Sequence, residues 1–405
     1  MFDFDRAIER AREACEILFF GDEAVEALLS ELADPATPEP HKKRLLVNLG
    51  ILAGEPFIGP QIVMLDLVGR CNLNCTFCRD HSPYLKHKRE AWRDMEMDYA
   101  LAVRLIDEAV RGGASLIPLL GAGEPLLYSR FDDIVQQIKP LPVDFEIFTN
   151  GLLLNRDKAQ RLADASRGRV HFSISAATED TYRKFRPFTR EGQLSRVEEN
   201  IATLASLRKP GLRIGTVQVL NPFNYRELLP MIDQAVRLGV DEVEYKICEV
   251  EDFSQNLRFS PEQFEQIRQE LRHAEELAAV GGVEIHDNIY LQLERLSPQT
   301  GTFTEDPFDT IGCHLGFELV RIRRDGEVSF CCALKFIDNV RDQSLQSYWR
   351  GEPMQRARIA ARDFPKGTNT LIAPKHLLRD AQCRSCFNYI LNFHSQEEMR
   401  KLGLR

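Results

Sequence analysis

The chain has 405 residues, of which 43% are hydrophobic and 28% are charged, and its formal net charge is -9 at pH 7. This length is enough for two or three domains, and the negative charge provides no electropositive surface for a nucleic acid. Ten cysteines occur without an N-terminal apolar signal segment or a long charge-free apolar run. We therefore expect a protein of the reducing cytoplasm whose cysteines are thiols or metal ligands, with neither nucleic acid nor membrane as a partner.

The first 57 residues are predicted to form a helical N-terminal segment. The stretch FDRAIERAREACEILFF has apolar residues at helical spacing and stops at Gly21. Cys15 falls on the apolar side of this helix, so we expect it to be a core residue.

From residue 58 to residue 295, short apolar runs alternate with longer amphipathic segments. Predicted strands cover residues 62–68, 115–120, 145–150, 170–175, 213–220 and 242–248. Predicted helices lie near residues 97–111, 129–139, 156–165, 192–207, 226–238 and 260–279. The alternation predicts an α/β fold, a partial (β/α)6 TIM-like barrel with functional groups at the carboxyl ends of its strands. Residues 296–405 hold five cysteines and short strand-like pieces, and are predicted to form a small cysteine-rich second domain.

The stretch GRCNLNCTFCRD places Cys71, Cys75 and Cys78 in the loop after the first predicted strand. Disulfides are a poor explanation, because three is an odd number and neighbouring cysteines cannot all pair without strain. Three thiolates around zinc would need a fourth ligand, which His81 or His87 could supply. A 4Fe-4S cluster held by three cysteines would instead leave one iron open to a small molecule. The spacing alone leaves both metal sites open.

Further residues connect this loop with a known family. The C-x3-C-x2-C spacing, with Phe77 before the third cysteine, resembles the signature loop of radical S-adenosylmethionine (SAM) enzymes, and a partial barrel is the architecture that this resemblance implies. The second predicted strand ends in GAGEP, where the family carries a GGEP-like turn that meets the amino group of SAM. The resemblance implies SAM-binding roles for four residues of this turn, since its glycines permit close backbone approach and its carboxylate accepts from an ammonium. These residues are Gly121, Gly123, Glu124 and Pro125.

Weaker correspondences follow the next strand ends. The family supplies contacts to the carboxylate, ribose and adenine of SAM at positions matching TNG (149–151), SIS (173–175) and VLNPFN (219–224). Ser173 and Asn221 are the resulting candidates, and a turn-forming or core polar role is the alternative for each. Many relatives carry an acidic residue where Ser175 stands.

The second cysteine group resembles the single-cluster form of the auxiliary iron-sulfur domain called twitch, which is related to the SPASM domain. The resemblance implies that four cysteines hold an auxiliary 4Fe-4S cluster, with Gly326 turning a hairpin between the first two. These ligands are Cys313, Cys331, Cys383 and Cys386. A structural zinc site with the same four ligands is the alternative, and Cys332 could replace its neighbour.

The resemblance implies an enzyme that cleaves SAM to a 5'-deoxyadenosyl radical and abstracts hydrogen from an unactivated carbon. We expect oxidation of a small metabolite or a peptide side chain, with flavodoxin or ferredoxin as the electron donor. The alternatives are a peptide maturase, an epimerase, or a noncatalytic iron-sulfur or zinc sensor or scaffold.

Cys248 carries the epimerase alternative. Val243, Tyr245 and Ile247 alternate along the sixth strand with polar residues, so Lys246 and Cys248 are expected to point into the barrel. Cys248 would then be a hydrogen donor to a substrate radical, whereas a small buried core residue is the other interpretation.

Overall fold

A computed structural model describes most of the chain, which divides into two compact units. The described residues are 2–85, 91–298, 301–302, 312–331, 338–363 and 388–404. The first unit comprises Met1–Leu65, Tyr99–Ile117 and Glu305–Arg405, and the second comprises Asp66–Asp98 and Pro118–Thr304. In these described ranges no helix is long and apolar enough to cross a membrane. The domain boundaries after residues 57 and 295 remain predictions.

Ten β-strands occur in the described part of the chain. They are β1 (Ile62–Asp66), β2 (Leu116–Leu120), β3 (Asp144–Thr149), β4 (Gly168–Ser173), β5 (Leu212–Leu220), β6 (Glu242–Ile247), β7 (Glu284–Ile285), β8 (Leu319–Ile322), β9 (Glu327–Ser329) and β10 (Asp338–Asn339). The first six agree with the predicted strands to within two residues at each end. The two-residue β7 escaped prediction because so short a strand has no periodicity to detect.

Fourteen α-helices lie in the same described ranges. They are α1 (Phe4–Leu18), α2 (Glu23–Ala33), α3 (Glu39–Ala53), α4 (Tyr99–Arg111), α5 (Phe131–Ile138), α6 (Arg156–Ala165), α7 (Glu179–Lys184), α8 (Gln193–Leu207), α9 (Leu228–Leu238), α10 (Pro261–Gly281), α11 (Asn288–Arg295), α12 (Leu345–Arg350), α13 (Glu352–Arg362) and α14 (Tyr389–Lys401). Local signals set several helix starts: Ser260 and Gln263 form a capping box at α10, and Asp22 accepts from two backbone N–H groups at α2. The predicted α/β class with a helical N-terminus is confirmed.

The second unit is built on parallel strands in chain order. β2 lies beside β3, and β3 to β7 pair in parallel, each with the next. Successive side chains alternate between the two faces, and one face packs on the helices. Tyr245 shows which face this is, because its hydroxyl donates to the Leu228 carbonyl of α9 over 2.9 Å. The opposite face of β3 to β6 therefore carries the inward-facing side chains.

The first unit has a helical core and a short mixed group of strands. Cys15 is completely buried among the side chains of α1 to α3, which confirms its predicted core role. β1 pairs in parallel with β8, and β8 pairs with β9 as an antiparallel hairpin. Gly326 has φ = 85° in the hairpin turn, a conformation that glycine adopts without steric cost.

Candidate functional site

The three clustered cysteines lie in the loop after β1. Leu73 N–H donates to Cys71 Sγ over 3.4 Å, and His81 N–H donates to Cys78 Sγ over 3.3 Å. Hydrogen bonds to sulfur stabilise the thiolate form and help to set the potential of iron-sulfur clusters. The backbone of the loop therefore stabilises negative charge on the sulfur atoms of Cys71 and Cys78.

Burial controls the ionisation of these thiols. It raises the pKa of Cys71, and it raises the pKa of Cys78 to about 12. The neighbouring Cys75 raises both pKa values further, because like charges disfavour ionisation. The free thiols Cys71 and Cys78 are therefore protonated at neutral pH, and binding of a metal, which requires thiolates, releases their protons.

The side chains around the loop bear on the choice between zinc and a cluster. His81 Nε2 faces the Gly69 carbonyl at 2.9 Å, so this nitrogen already has a partner, while His87 lies outside the described residues. Within the described chain, no three His, Cys, Asp or Glu side chains are grouped to hold a single metal ion. Three thiolates without His81 fit a 4Fe-4S cluster, which distributes its ligands over several irons.

The GAGEP turn lies directly on the cysteine loop. Gly123 N–H donates to the Val68 carbonyl over 3.1 Å, and Glu124 N–H donates to the Arg70 carbonyl over 2.7 Å. A Cβ on Gly123 would lie 1.8 Å from the Arg70 oxygen, and one on Gly121 would lie 2.9 Å from the Val68 oxygen. Both glycines thus allow the GAGEP turn to approach the backbone at the start of the cysteine loop closely. Their expected contact with SAM stays a prediction.

Glu124 connects this turn to the end of β3. Its carboxylate, 3% exposed, accepts from Thr149 Oγ1 over 2.5 Å, from Asn150 N–H over 2.8 Å and from Leu126 N–H over 3.2 Å. Burial raises the pKa of Glu124, and the hydrogen bonds counteract that rise by stabilising the carboxylate. Pro125 begins the short 3-10 turn that Glu124 caps. The predicted ammonium contact of Glu124 is not tested by these bonds.

A further bond brings the cysteine loop to the same point. Asn150 Nδ2 donates to Asn72 Oδ1 over 2.8 Å. Asn150 therefore joins the cysteine loop through its side chain and Glu124 through its backbone. The carboxyl ends of β1, β2 and β3 consequently form one hydrogen-bonded site, as expected for parallel strands of a barrel-like sheet.

The next two strand ends place their polar side chains differently. Ser173 is half-buried at the end of β4. Asn221 is completely buried, and its side chain accepts from Phe223 N–H over 2.9 Å and donates to the Val219 carbonyl over 3.2 Å. Ser175 Oγ accepts from Val219 N–H over 3.0 Å. These bonds support the turn-forming alternative for Asn221, and the SAM contacts of Ser173 and Asn221 stay predictions.

Family models match both parts of the chain in which the cysteines cluster. The radical SAM superfamily model matches residues 65–235, and the model of SPASM, an iron-sulfur cluster-binding domain, matches residues 313–387. The chain therefore contains a radical SAM domain and a SPASM domain. Its cofactors are therefore a 4Fe-4S cluster with SAM and an auxiliary iron-sulfur cluster.

Relatives of this radical SAM protein have several different activities. GTP 3',8-cyclase of Limosilactobacillus fermentum is 30% identical over 42% of this chain and 49% of its own length. A protein of Pyrococcus furiosus that modifies the cofactor of tungsten-containing aldehyde ferredoxin oxidoreductase is 30% identical over 44% of this chain and 48% of its own. The chain thus spans about half the length of these curated relatives.

Solved structures of radical SAM proteins have the same fold. SuiB of Streptococcus suis, bound to SAM, superimposes with a TM-score of 0.57 at 16% identity, covering 74% of this chain and 68% of SuiB. anSMEcpe with bound SAM has a TM-score of 0.57 at 14% identity, covering 85% of this chain and 94% of its own. At these identities the agreement concerns the fold.

Arg186 is a residue of this radical SAM domain that the sequence analysis missed. It is 1% exposed, its guanidinium lies 4.2 Å from the centre of the Tyr182 ring, and its Nη2 donates to the Ser173 carbonyl over 2.9 Å. Its Nε and Nη1 have no hydrogen-bond partner among the described residues. The preceding Phe185 accepts from Thr76 N–H of the cysteine loop over 2.9 Å. Arg186 is therefore a buried cation beside the cysteine loop with donors available for an anionic group.

Cys248 lies just after β6, close to a second connection with the cysteine loop. It is 2% exposed, its Sγ lies 3.4 Å from the Glu249 carbonyl oxygen, and burial raises its pKa to about 12. Arg79, which follows the third cysteine of the loop, bonds to Glu249 over 2.5 Å and to Glu251 over 2.6 Å. The carboxyl end of β6 is thereby joined to the cysteine loop, and Cys248 is held as a thiol.

Two of the predicted auxiliary ligands, Cys313 and Cys331, lie among the described residues of the first unit. Cys313 and Cys331 are 4% and 6% exposed; Cys313 precedes β8 along the chain and Cys331 follows β9. Cys313 N–H donates to the Ala361 carbonyl over 2.9 Å. Cys332, Cys383 and Cys386 lie outside the described residues. The four-cysteine ligand set is therefore still a prediction.

Proposed function

We propose that this radical SAM protein oxidises a carbon centre of a small metabolite or a peptide side chain, with one auxiliary 4Fe-4S cluster as electron acceptor. When bound and reduced, the cluster at Cys71, Cys75 and Cys78 together with SAM supplies a 5'-deoxyadenosyl radical that removes hydrogen from an unactivated carbon. The observation that carries the proposal is the hydrogen-bonded junction of three strand ends through Glu124 and Asn150.

The residues of the second unit would bind and orient the cofactor. The cysteine loop provides three thiolates, and Arg186 offers two donor nitrogens, Nε and Nη1, that suit the carboxylate of SAM. Glu124 holds the GAGEP turn and Asn150 in register, so that the backbone around the loop keeps one geometry. Such preorganisation favours productive cleavage over side reactions of the radical.

The substrate class rests on indirect support. The helical N-terminal segment has no strand-rich leader-binding pattern, which favours a small metabolite. One solved SuiB structure contains the precursor peptide SuiA. Because this chain has a similar fold, that complex supports a peptide side chain as the alternative substrate. Flavodoxin or ferredoxin would serve as the electron donor.

The test is an anaerobic assay of SAM cleavage. Reconstituted protein, reduced with dithionite, is incubated with SAM, and 5'-deoxyadenosine is quantified. We expect formation of 5'-deoxyadenosine well above a sample without protein. A noncatalytic sensor or scaffold would produce none above background, and that result would reject the proposed enzymatic function.

Cys248 supports epimerisation as a second candidate function. Its buried thiol, with a pKa raised to about 12, retains the S–H bond that a hydrogen donor requires. Turnover in deuterated water distinguishes the two reactions once a substrate is known. An epimerase would place solvent deuterium on the product carbon, and Cys248→Ala would still cleave SAM without forming epimer. Oxidised product without deuterium, formed equally by Cys248→Ala, would leave oxidation as the function.

A further inference from the structure

Glu244 and Lys246 form a charged pair on the inward face of β6. Tyr245 between them points to α9, so its two neighbours in sequence point to the opposite face. Val217 and Val219 of β5 lie beside them in the sheet. A charged pair next to apolar neighbours is costly to place in a protein interior unless the pair has a function or complete compensation.

The contacts of the pair leave bonding capacity on the lysine. Lys246 Nζ lies 3.0 Å from Glu244 Oε2 and 5.5 Å from the centre of the Phe148 ring, and its side chain is 26% exposed. The other carboxylate oxygen, Glu244 Oε1, accepts from Asn288 Nδ2. An ammonium has three N–H donors, and among the described residues Glu244 is the carboxylate partner of Lys246. Both carboxylate oxygens of Glu244 have partners. The hydrogen-bonding capacity that remains in the pair is therefore that of the Lys246 ammonium, which is a donor.

The position of the pair connects it with the proposed reaction. Lys246 is two residues before Cys248, at the carboxyl end of β6, and the loop that follows is bonded to the cysteine loop through Arg79 and Glu249. In barrel-like sheets this end of the strands carries the chemistry. A group bound by Lys246 would therefore lie on the reacting side of the sheet.

We propose that Lys246 binds an anionic oxygen group of the substrate, a carboxylate or a phosphate. This inference rests on the proposed function, because it assigns the ligand to the same site. The ammonium forms charge-assisted hydrogen bonds with an oxyanion, and its 26% exposed side chain is accessible to such a group. Glu244 and Phe148 hold the lysine in place between turnovers. Carboxylates and phosphates share the required chemistry, and the experiment below separates them.

The experiment measures binding of simple probes to the holoenzyme. Reconstituted protein, with its SAM site filled by S-adenosylhomocysteine, is dialysed to equilibrium against glutarate and ribose 5-phosphate. Pentane-1,5-diol and ribose serve as the uncharged counterparts. We expect one anionic probe to bind at least tenfold more tightly than its counterpart, and the identity of that probe assigns the group as carboxylate or phosphate.

Three variants make the result specific to the lysine. Lys246→Gln should weaken binding of the anionic probe about tenfold or more, whereas Lys246→Arg keeps the charge and should stay within about threefold. Lys139→Gln removes an exposed lysine after α5 and should bind as the unmodified protein does. Equal binding of charged and uncharged probes, or undiminished binding by Lys246→Gln, would overturn the proposal.

The same samples separate this inference from the proposed function. SAM cleavage by the unmodified protein is measured without substrate, because that reaction requires only the cluster and SAM and therefore tests the proposed function by itself. If the unmodified protein fails to cleave SAM, the proposed function fails while the dialysis result stands. If cleavage is normal but binding is insensitive to Lys246→Gln, only the inference fails.

Discussion

The two groups of cysteines differ in how far apart their members lie along the chain. Cys71, Cys75 and Cys78 fall within one loop, whose own backbone N–H groups donate to two of the sulfur atoms. The predicted auxiliary ligands extend from Cys313 to Cys386, and the β8–β9 hairpin separates the first two along the chain. A local site is defined by a short loop and its contacts, whereas a dispersed site depends on the fold of a whole domain.

Loss of one thiolate in the local site should have the largest effect. Cys71→Ala, Cys75→Ala or Cys78→Ala should abolish SAM cleavage, because these three thiolates are the complete protein ligand set predicted for that cluster. The assay is formation of 5'-deoxyadenosine together with iron content. Cys15→Ala is the matched control, since this cysteine is buried in the first unit and should leave both values unchanged. Retained SAM cleavage in a loop variant would show that this loop does not hold the SAM-binding cluster.

Loss of a dispersed ligand should separate the two sites. The unmodified protein should carry about eight irons, and Cys313→Ala or Cys383→Ala should retain about four with SAM cleavage preserved. Iron and zinc are measured by elemental analysis on the samples used for the cleavage assay. About four irons and one zinc in the unmodified protein would instead make the auxiliary site structural.

Displacing the cysteine loop without touching a ligand should have a smaller effect. Gly123→Ala puts a methyl group where only 1.8 Å separates it from the Arg70 oxygen, so the loop must move and cluster incorporation should fall by about half or more. Gly282→Ala is the control. It also adds a methyl group to a glycine, at φ = 70°, but no atom lies within 4 Å of the added carbon. Equal iron content in the two variants would show that the contact between turn and loop is dispensable.

The smallest expected effect on iron content is that of removing the Glu124 carboxylate. Glu124→Ala leaves the donors of Thr149, Asn150 and Leu126 without their acceptor. Loss of the predicted charge-assisted hydrogen bond from the SAM ammonium to Glu124 costs about 1.5 to 3 kcal/mol, so SAM binding should weaken about tenfold or more. Iron content should stay near that of the unmodified protein. Equilibrium dialysis with SAM measures the change, and unchanged affinity would mean that Glu124 serves stability alone.

The sequence predicts those parts of the molecule whose causes are local. The alternation of strands and helices followed from the periodicity of apolar residues. The start of α10 had its own signal in Ser260 and Gln263. Such features need only a few neighbouring residues, and the structure reproduces them.

The features that escaped depend on contacts between distant segments. Arg186 has no distinguishing local pattern besides the aromatic residues around it, and its importance comes from burial beside the cysteine loop. Gly123 could be identified as a close-approach residue, but the sequence could not show that the approach is to Arg70. The acceptor role of Glu124 toward Asn150 likewise became visible only when two strand ends were placed side by side.

The ion pairs of Arg79 have a consequence for the order of events during synthesis. Its partner Glu251 lies 172 residues further along the chain. At a translation rate of about 5 to 20 residues per second, the cysteine loop leaves the ribosome roughly 10 to 30 s before that carboxylate does. Three thiols therefore meet the cell's reductants, oxidants and free metals before the acidic partners of the loop exist. Arg79 can hold the loop in its folded position only after the second unit has been synthesised. Iron enters the folded loop after that point, so timely delivery of the cluster is a requirement of biogenesis.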